Sequence, residues 1–250
     1  MKNPILSIIT PVYNCEKYIE FSLNSIFKQS FQYFELIVIN DGSTDNTWDI
    51  VKNVCEPHRQ KIILIDNKDN KGVFIRRDQA IEACGGKYIA LNDGDDYSFY
   101  NRLEKQIVFL EENSRIFCVG SHAQKIDQYN KYYYENKNDN GLMDYPPEKN
   151  EEVIELITKK CMNPIIDPTT MFRKDDYLEL GGYSLNKDIK LVGDFDFWLK
   201  SISAGKKFYN IQKPLIYYRV NPDSNTRKYK KKMITQHMIV WREFMKGKRR

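Results

Sequence analysis

The sequence predicts an α/β fold: a doubly wound, mostly parallel sheet flanked by helices. Three observations predict it. Four short β-rich apolar runs, Leu6 to Thr10, Leu36 to Asn40, Ile62 to Asp66 and Tyr88 to Asn92, are each followed by a segment long enough to hold a helix before the next begins. Those segments carry helical spacing: Tyr18, Ile19, Ser22, Leu23, Ile26 and Phe27 mark one helix face, Trp48, Val51 and Val54 a second, and Ala80, Ile81 and Ala83 a third, which Gly85-Gly86 stops. Strands such as LIVI and IILI lack strict alternation, as a parallel sheet covered on both faces requires.

Further along, Phe117 to Ser121 reads as a fifth strand, and the sheet is expected to occupy residues 1 to about 122. Gln128 to Lys149, rich in Tyr, Asn, Asp, Lys and Pro and without periodicity, reads as a mobile loop. Helical patterns resume at Val153 to Ile157 and Asp194 to Ala204, with β-like runs at Thr169 to Phe172 and Leu215 to Val220. Met233 to Met245 forms a last helix with Ile234, Met238, Trp241 and Met245 on one side, expected to pack on the domain or lie on a membrane surface.

At 250 residues the chain buries an ordinary core without disulfides or structural metal. Its five cysteines are odd in number and never spaced as C-x-x-C, which fits a reducing cytoplasm and suggests no zinc site. Too few apolar residues precede Pro11 for a signal peptide, and no apolar run approaches ~18 residues, so a soluble protein is expected. Residues 227–250 hold ten Lys or Arg against one Glu, a net +9, which leaves −4 for the remainder of a chain whose total is +5. The basicity therefore belongs to a tail that sits in water, on an anionic membrane or on nucleic acid. Nucleic acid is the poorest fit, because Tyr229 is the single aromatic residue within the basic run.

In doubly wound sheets, ligands bind beyond the carboxyl ends of the strands. The polar residues cluster in those loops: Thr10-Pro11-Val12-Tyr13-Asn14, Asn40-Asp41-Gly42-Ser43-Thr44-Asp45, Asp69-Asn70-Lys71-Gly72 and Asn92-Asp93-Gly94-Asp95-Asp96. Each alone reads equally as a turn, with Ser43 or Thr44 as a helix N-cap. Asp93, Asp95 and Asp96 are different, because three carboxylates within four residues at the end of a buried strand repel one another unless a cation offsets them. Oxygen ligands facing a phosphate partner suit Mg2+ or Mn2+.

These segments resemble, in order, the inverting family 2 nucleotide-sugar glycosyltransferases of the GT-A fold. The resemblance begins with Ser7 to Asn14 and Glu35 to Asp45, and continues through Asn70-x-Gly72 leading to Arg77 and the acidic loop. Gly181-Gly182-Tyr183, Gly193 to Lys200 and Leu215 to Ser224 complete it. It implies a nucleotide-sugar-binding half over residues 1–122, an acceptor-binding and catalytic half over 123–226, and a basic tail over 227–250. It further implies that Pro11, Val12, Tyr13 and Asn14 line the base pocket, that Asp41 hydrogen-bonds base or ribose, and that Asn70, Gly72 and Arg77 help hold the nucleotide. Asp93-Gly94-Asp95 becomes the D-x-D element, Asp95 on the metal and Asp93 on the ribose or a metal-bound water. Asp194 becomes the general base, close to Trp198 on the acceptor side; from local sequence alone it reads as a helix cap. The implied partners are a nucleotide-sugar donor, most often a UDP-sugar, and a glycan or lipid-linked acceptor, on the cytoplasmic side of a surface-glycan pathway with peripheral membrane contact through the tail.

Two positions depart from the family pattern. Gly193 stands where a Glu usually precedes the catalytic Asp, and Asn221 stands where a His is common; Arg76 and Asp78 are also atypical neighbours of Arg77. A phosphatase of the haloacid dehalogenase type fits less well, since Tyr97 occupies the fifth position of its Asp-x-Asp motif. A dinucleotide oxidoreductase lacks its G-x-G-x-x-G. The remaining alternative is a protein of the same fold that binds a nucleotide sugar or partner without turnover.

Overall fold

The computed structural model describes residues 4–136, 139–143, 146–221 and 224–247. Along the chain run β1 (Leu6–Val12), α1 (Ile19–Phe27), β2 (Phe34–Asp41), α2 (Thr47–Cys55), β3 (Ile62–Asn67), α3 (Val73–Ala83), β4 (Tyr88–Leu91) and β5 (Tyr97–Ser98). Then follow α4 (Arg102–Glu112), β6 (Cys118–Ile126), β7 (Leu142–Met143), α5 (Asn150–Lys160), β8 (Met171–Arg173), α6 (Lys174–Glu179), α7 (Gly193–Ser203), β9 (Phe208–Arg219), α8 (Asn225–Lys228) and α9 (Lys230–Met245).

All described strands belong to one sheet, ordered β3-β2-β1-β4-β8-β6-β9-β5, with β7 added to β6. The first four strands are parallel, with Ile8 opposite both Leu36 and Ala90. β8 runs antiparallel between β4 and β6, while β6 and β9 are parallel, so β1, β2, β3, β4, β6 and β9 all point one way.

Why the central strands are apolar at every position becomes clear from their two faces. Ile9, Ile37, Ile39, Ile89 and Leu91 bury on one side against α3 and α7, whereas Leu6, Ile8, Leu36, Val38, Tyr88 and Ala90 bury on the other against α1, α2 and α4. Successive side chains point to opposite faces, and both faces are covered.

Four features differ from expectation. The sheet does not end near residue 122, because β7, β8 and β9 continue it to Arg219. Helix α4 was not anticipated, although Leu103, Ile107 and Leu110 bury at helical spacing. Within the predicted 128–149 loop, the described residues are organised: Leu142 pairs with Gln124, and Asp139 accepts from the Lys125 ammonium (2.6 Å) and the Gly141 N–H (2.8 Å). Residues 137, 138, 144 and 145 of that loop lie outside the described residues. In α9 the predicted stripe splits. Gln236 and Val240 are buried, Met233, Trp241 and Phe244 pack on the core, and the Trp241 indole N–H donates to the Thr158 carbonyl (2.8 Å). Ile234 and Met245 face outward. No helix among the described residues is long and apolar enough to cross a membrane.

Candidate active site

The carboxyl ends of β1, β2 and β4 are tied to one another by side chains. Asn14, in left-handed backbone (φ 46°), accepts the Thr44 N–H (2.8 Å) and offers its own N–H to Ser43 Oγ (3.2 Å), so the first loop is laced to the second. Ser43 and Thr44 therefore serve this link rather than capping α2, which begins at Thr47, whose N–H is taken by Asp45 (3.0 Å). Pro11 and Val12 are buried, while Tyr13 is 48% exposed and presents its ring at the mouth. Gly94 seats the acidic loop against the first: a Cβ there would lie 3.0 Å from Cys15 Sγ and 3.1 Å from Val12 Cγ1.

Asp41 is buried and committed to its own chain. It accepts the N–H groups of Lys71 (2.8 Å) and Gly72 (2.9 Å) and the Nε of Arg76 (2.7 Å), and Arg76 in turn grips Asp69 (2.8 Å). Gly42 (φ 73°) makes this possible, since a Cβ would come within 2.8 Å of the Asp69 carbonyl carbon. Asp41 thus folds the turn bearing Asn70 and Gly72 against β2. Arg76, atypical by pattern, is the buried cation that offsets it.

The acidic loop is offset by arginines from distant parts of the chain. Asp93 accepts from Arg77 Nη2 (2.7 Å). Asp96, 3% exposed, accepts the backbone N–H of Arg219 (2.8 Å). Arg219 also donates through Nε to the Asp95 carbonyl (2.9 Å) and through Nη1 to the Asp127 carbonyl (2.7 Å), and its guanidinium lies 4.4 Å from the Tyr18 ring centroid. Two buried guanidinium groups, those of Arg77 and Arg219, therefore supply part of the positive charge these carboxylates need to coexist. Asp95 remains different. No side chain among the described residues donates to its carboxylate, and burial, then the Asp93 charge, push its pKa up to about 6. A partly exposed, destabilised carboxylate of this kind fits a hard divalent cation. The described residues contain no cluster of three His, Cys, Asp or Glu that would hold one unaided.

Arg77 is the hub. Its side chain is 2% exposed and ion-pairs with Asp93 and Asp167. Burial opposes its charge, but Asp167 and Asp93 outweigh that and hold its pKa well above the ordinary arginine value. Asp167 is raised to about 7 by burial, against the pull of Arg77 and with the push of Asp194 and Asp93. Asp194 stands in the first turn of α7. Its carboxylate accepts Asn163 Nδ2 (2.9 Å) and is raised by burial, against hydrogen bonds from the first-turn backbone and the charge of Arg77. It is therefore a carboxylate held at a helix start, within reach of the charge of the arginine that pairs with Asp93. Among these residues, Arg76, Arg219 and Asn163 had escaped the sequence reading as site residues.

Trp198 is not brought to this cluster. It is fully buried, packed on Phe197 (5.3 Å) and Phe208 (5.8 Å), because α7 turns that position into the core. Contrary to its expected place beside the acceptor, Trp198 has no exposed surface for a substrate to touch. Gly193 also has a steric explanation: a Cβ there would lie 2.6 Å from Phe74 Cδ2, and Phe74 packs at a tilt against Tyr183 (5.0 Å between ring centroids) with the Arg77 guanidinium 5.8 Å from its ring centroid. Phe74 fills the space a side chain at 193 would need. Gly193→Glu is expected to cost about 1–3 kcal/mol by overpacking. Phe74→Ala combined with it should recover part of that loss in a thermal-melt double-mutant cycle; strict additivity would remove the explanation.

The chain is matched by known proteins. Residues 7–181 fit the family description "Glycosyl transferase family 2". The chain belongs to that family. Among family relatives, EpsE of Bacillus subtilis is 33% identical over 90% of this chain and 76% of its own length. An Escherichia coli enzyme, the UDP-Glc:alpha-D-GlcNAc-diphosphoundecaprenol beta-1,3-glucosyltransferase WfaP, is 29% identical over 94% of this chain and 85% of its own. In fold, the chain is similar to Staphylococcus aureus TarS 1–349 in complex with UDP-GlcNAc (TM-score 0.70, 21% identity, 96% of this chain and 71% of that one). It is likewise similar to the Pyrobaculum calidifontis mannosyltransferase PcManGT in complex with GDP-Man and Mn2+ (TM-score 0.69, 17% identity, 96% and 64%). This chain is a family 2 glycosyltransferase of GT-A fold, with relatives in polysaccharide and glycoconjugate biosynthesis.

Proposed function

We propose that this glycosyltransferase is an inverting, divalent-metal-dependent enzyme that moves a sugar from a nucleotide sugar, a UDP-sugar first, to a hydroxyl of a glycan or lipid-linked acceptor. Surface-glycan assembly on the cytoplasmic side is the setting this reading favours. One observation carries it: the buried guanidinium of Arg77 ion-pairs with Asp93 of the acidic loop, and its charge also reaches Asp194 at the head of α7. Donor-side and acceptor-side carboxylates are thereby influenced by one fixed cation.

In this reading the exposed ring of Tyr13 and the Asn70–Gly72 turn receive the base. Asp41 supports them through the N–H groups of Lys71 and Gly72. Asp95 and Asp93 would hold Mn2+ or Mg2+, which when bound offsets charge on the leaving diphosphate. Asp194 accepts the proton of the acceptor hydroxyl as its oxygen attacks the anomeric carbon and the bond to the nucleoside diphosphate breaks. Arg77 acts through carboxylates, keeping Asp93 oriented.

The test is calorimetric donor binding over a panel of nucleotide sugars with Mn2+, Mg2+ or chelator. Asp95→Ala is expected to weaken metal-dependent binding of the preferred donor by about 10–100-fold, as loss of a ligand or its support does, and to leave metal-independent binding unchanged. Equal donor affinity in wild type and variant, with and without chelator, would sink the metal assignment. Failure of every nucleotide sugar would instead favour partner binding without turnover.

A further inference from the structure

We propose that the outer face of α9, together with the exposed connection at Met162, is a docking surface for an anionic lipid bilayer. The inner face of α9 is fully engaged: Gln236 donates to the Asp188 carbonyl (2.6 Å) and accepts the Leu191 N–H (3.1 Å), Val240 is buried, and Trp241 is bonded to Thr158. The helix is therefore held by the domain, and its outer face stands ready-made. On that face Ile234 and Met245 are 54% and 56% exposed, aligned with the half-buried Met238 at spacings of four and seven. Exposed Lys230, Lys231 and Arg242 flank this stripe, and Lys228, Lys232 and Lys246 extend the charge. Apolar residues rimmed by cations suit a bilayer surface, where the stripe enters the headgroup boundary and the cations meet lipid phosphates. Nucleic acid would satisfy the cations and leave Ile234 and Met245 in water.

The surface leads to the candidate base. Cys161 Sγ lies 3.9 Å from the His237 carbonyl of α9, Met162 beside it is 53% exposed, and the next residue, Asn163, donates to Asp194. A bilayer touching α9 and Met162 thus lies one residue from the side chain that holds Asp194. This geometry serves an acceptor whose hydroxyl is carried on a membrane lipid, and that use rests on the transfer reaction proposed above.

Co-sedimentation of the full chain with phosphatidylcholine vesicles, with and without phosphatidylglycerol, tests the surface. Binding is expected to require phosphatidylglycerol and to weaken with salt. The triple variant Lys230→Glu/Lys231→Glu/Arg242→Glu should lose at least about 100-fold in partitioning, from about fivefold per cation. Ile234→Ser/Met245→Ser should lose about tenfold or more. Both variants should keep the melting temperature and UDP-sugar binding of wild type, so loss of docking is separable from loss of donor binding. No binding to phosphatidylglycerol vesicles, unchanged binding by both variants, or tighter binding to a DNA duplex than to vesicles overturns the proposal.

Discussion

Asp194→Asn is expected to lower kcat for sugar transfer by about 10²–10⁴-fold, the usual contribution of a positioned general base, with donor affinity nearly unchanged. Asparagine keeps the size of the side chain and its contact with Asn163, so the start of α7 should remain intact and only the proton acceptor is lost. The wild-type pH profile supplies a second readout. Burial holds the Asp194 pKa above the ordinary carboxylate value. The group is therefore protonated and idle at low pH, and kcat/KM should climb as pH rises through that raised pKa. In the variant this acidic limb should disappear from the residual rate. A variant with wild-type kcat would pass the role of base to Asp167, whose pKa of about 7 also places it in the working range.

Arg77→Met is expected to destabilise the fold by about 3–5 kcal/mol, the typical result of removing one partner from a buried ion pair. For a chain of this size that is roughly 10 °C in melting temperature. The loss comes from stranding Asp93 and Asp167 without a counter-charge, not from lost volume, since Met fills much of the same space. Its sign with pH follows. Without Arg77 the buried Asp167 loses the charge that restrains its raised pKa, so the folded variant binds more protons than the unfolded chain and gains stability as pH falls. The gap between wild type and variant should be smaller near pH 5 than near pH 8 in thermal melts. Arg77→Lys should rescue only part, because one ammonium cannot span two carboxylates as a guanidinium does. A gap independent of pH would point to packing as the cause.

Much of the parallel half of the sheet was readable because its strands are apolar at every position and its loops are rich in polar residues. The departures have local reasons. Helix α4 carries only three buried apolar positions. The family resemblance places Trp198 on the acceptor side, yet the core takes that face of α7.

By itself the sequence determined the order of strands and helices in the first half, the family, and the concentration of carboxylates at the end of β4. Local pattern suffices there, since strand and helix periods and turn residues act over a few positions. Only the tertiary structure decided how those carboxylates coexist. Arg77 lies 16 residues before Asp93 and 90 before Asp167, and Arg219 lies 124 after Asp95. Charge compensation depends on distance in space, which no local period reports. The same holds for Asp41, whose partners 30 to 35 residues away tie the loop bearing Asn70 and Gly72 to β2.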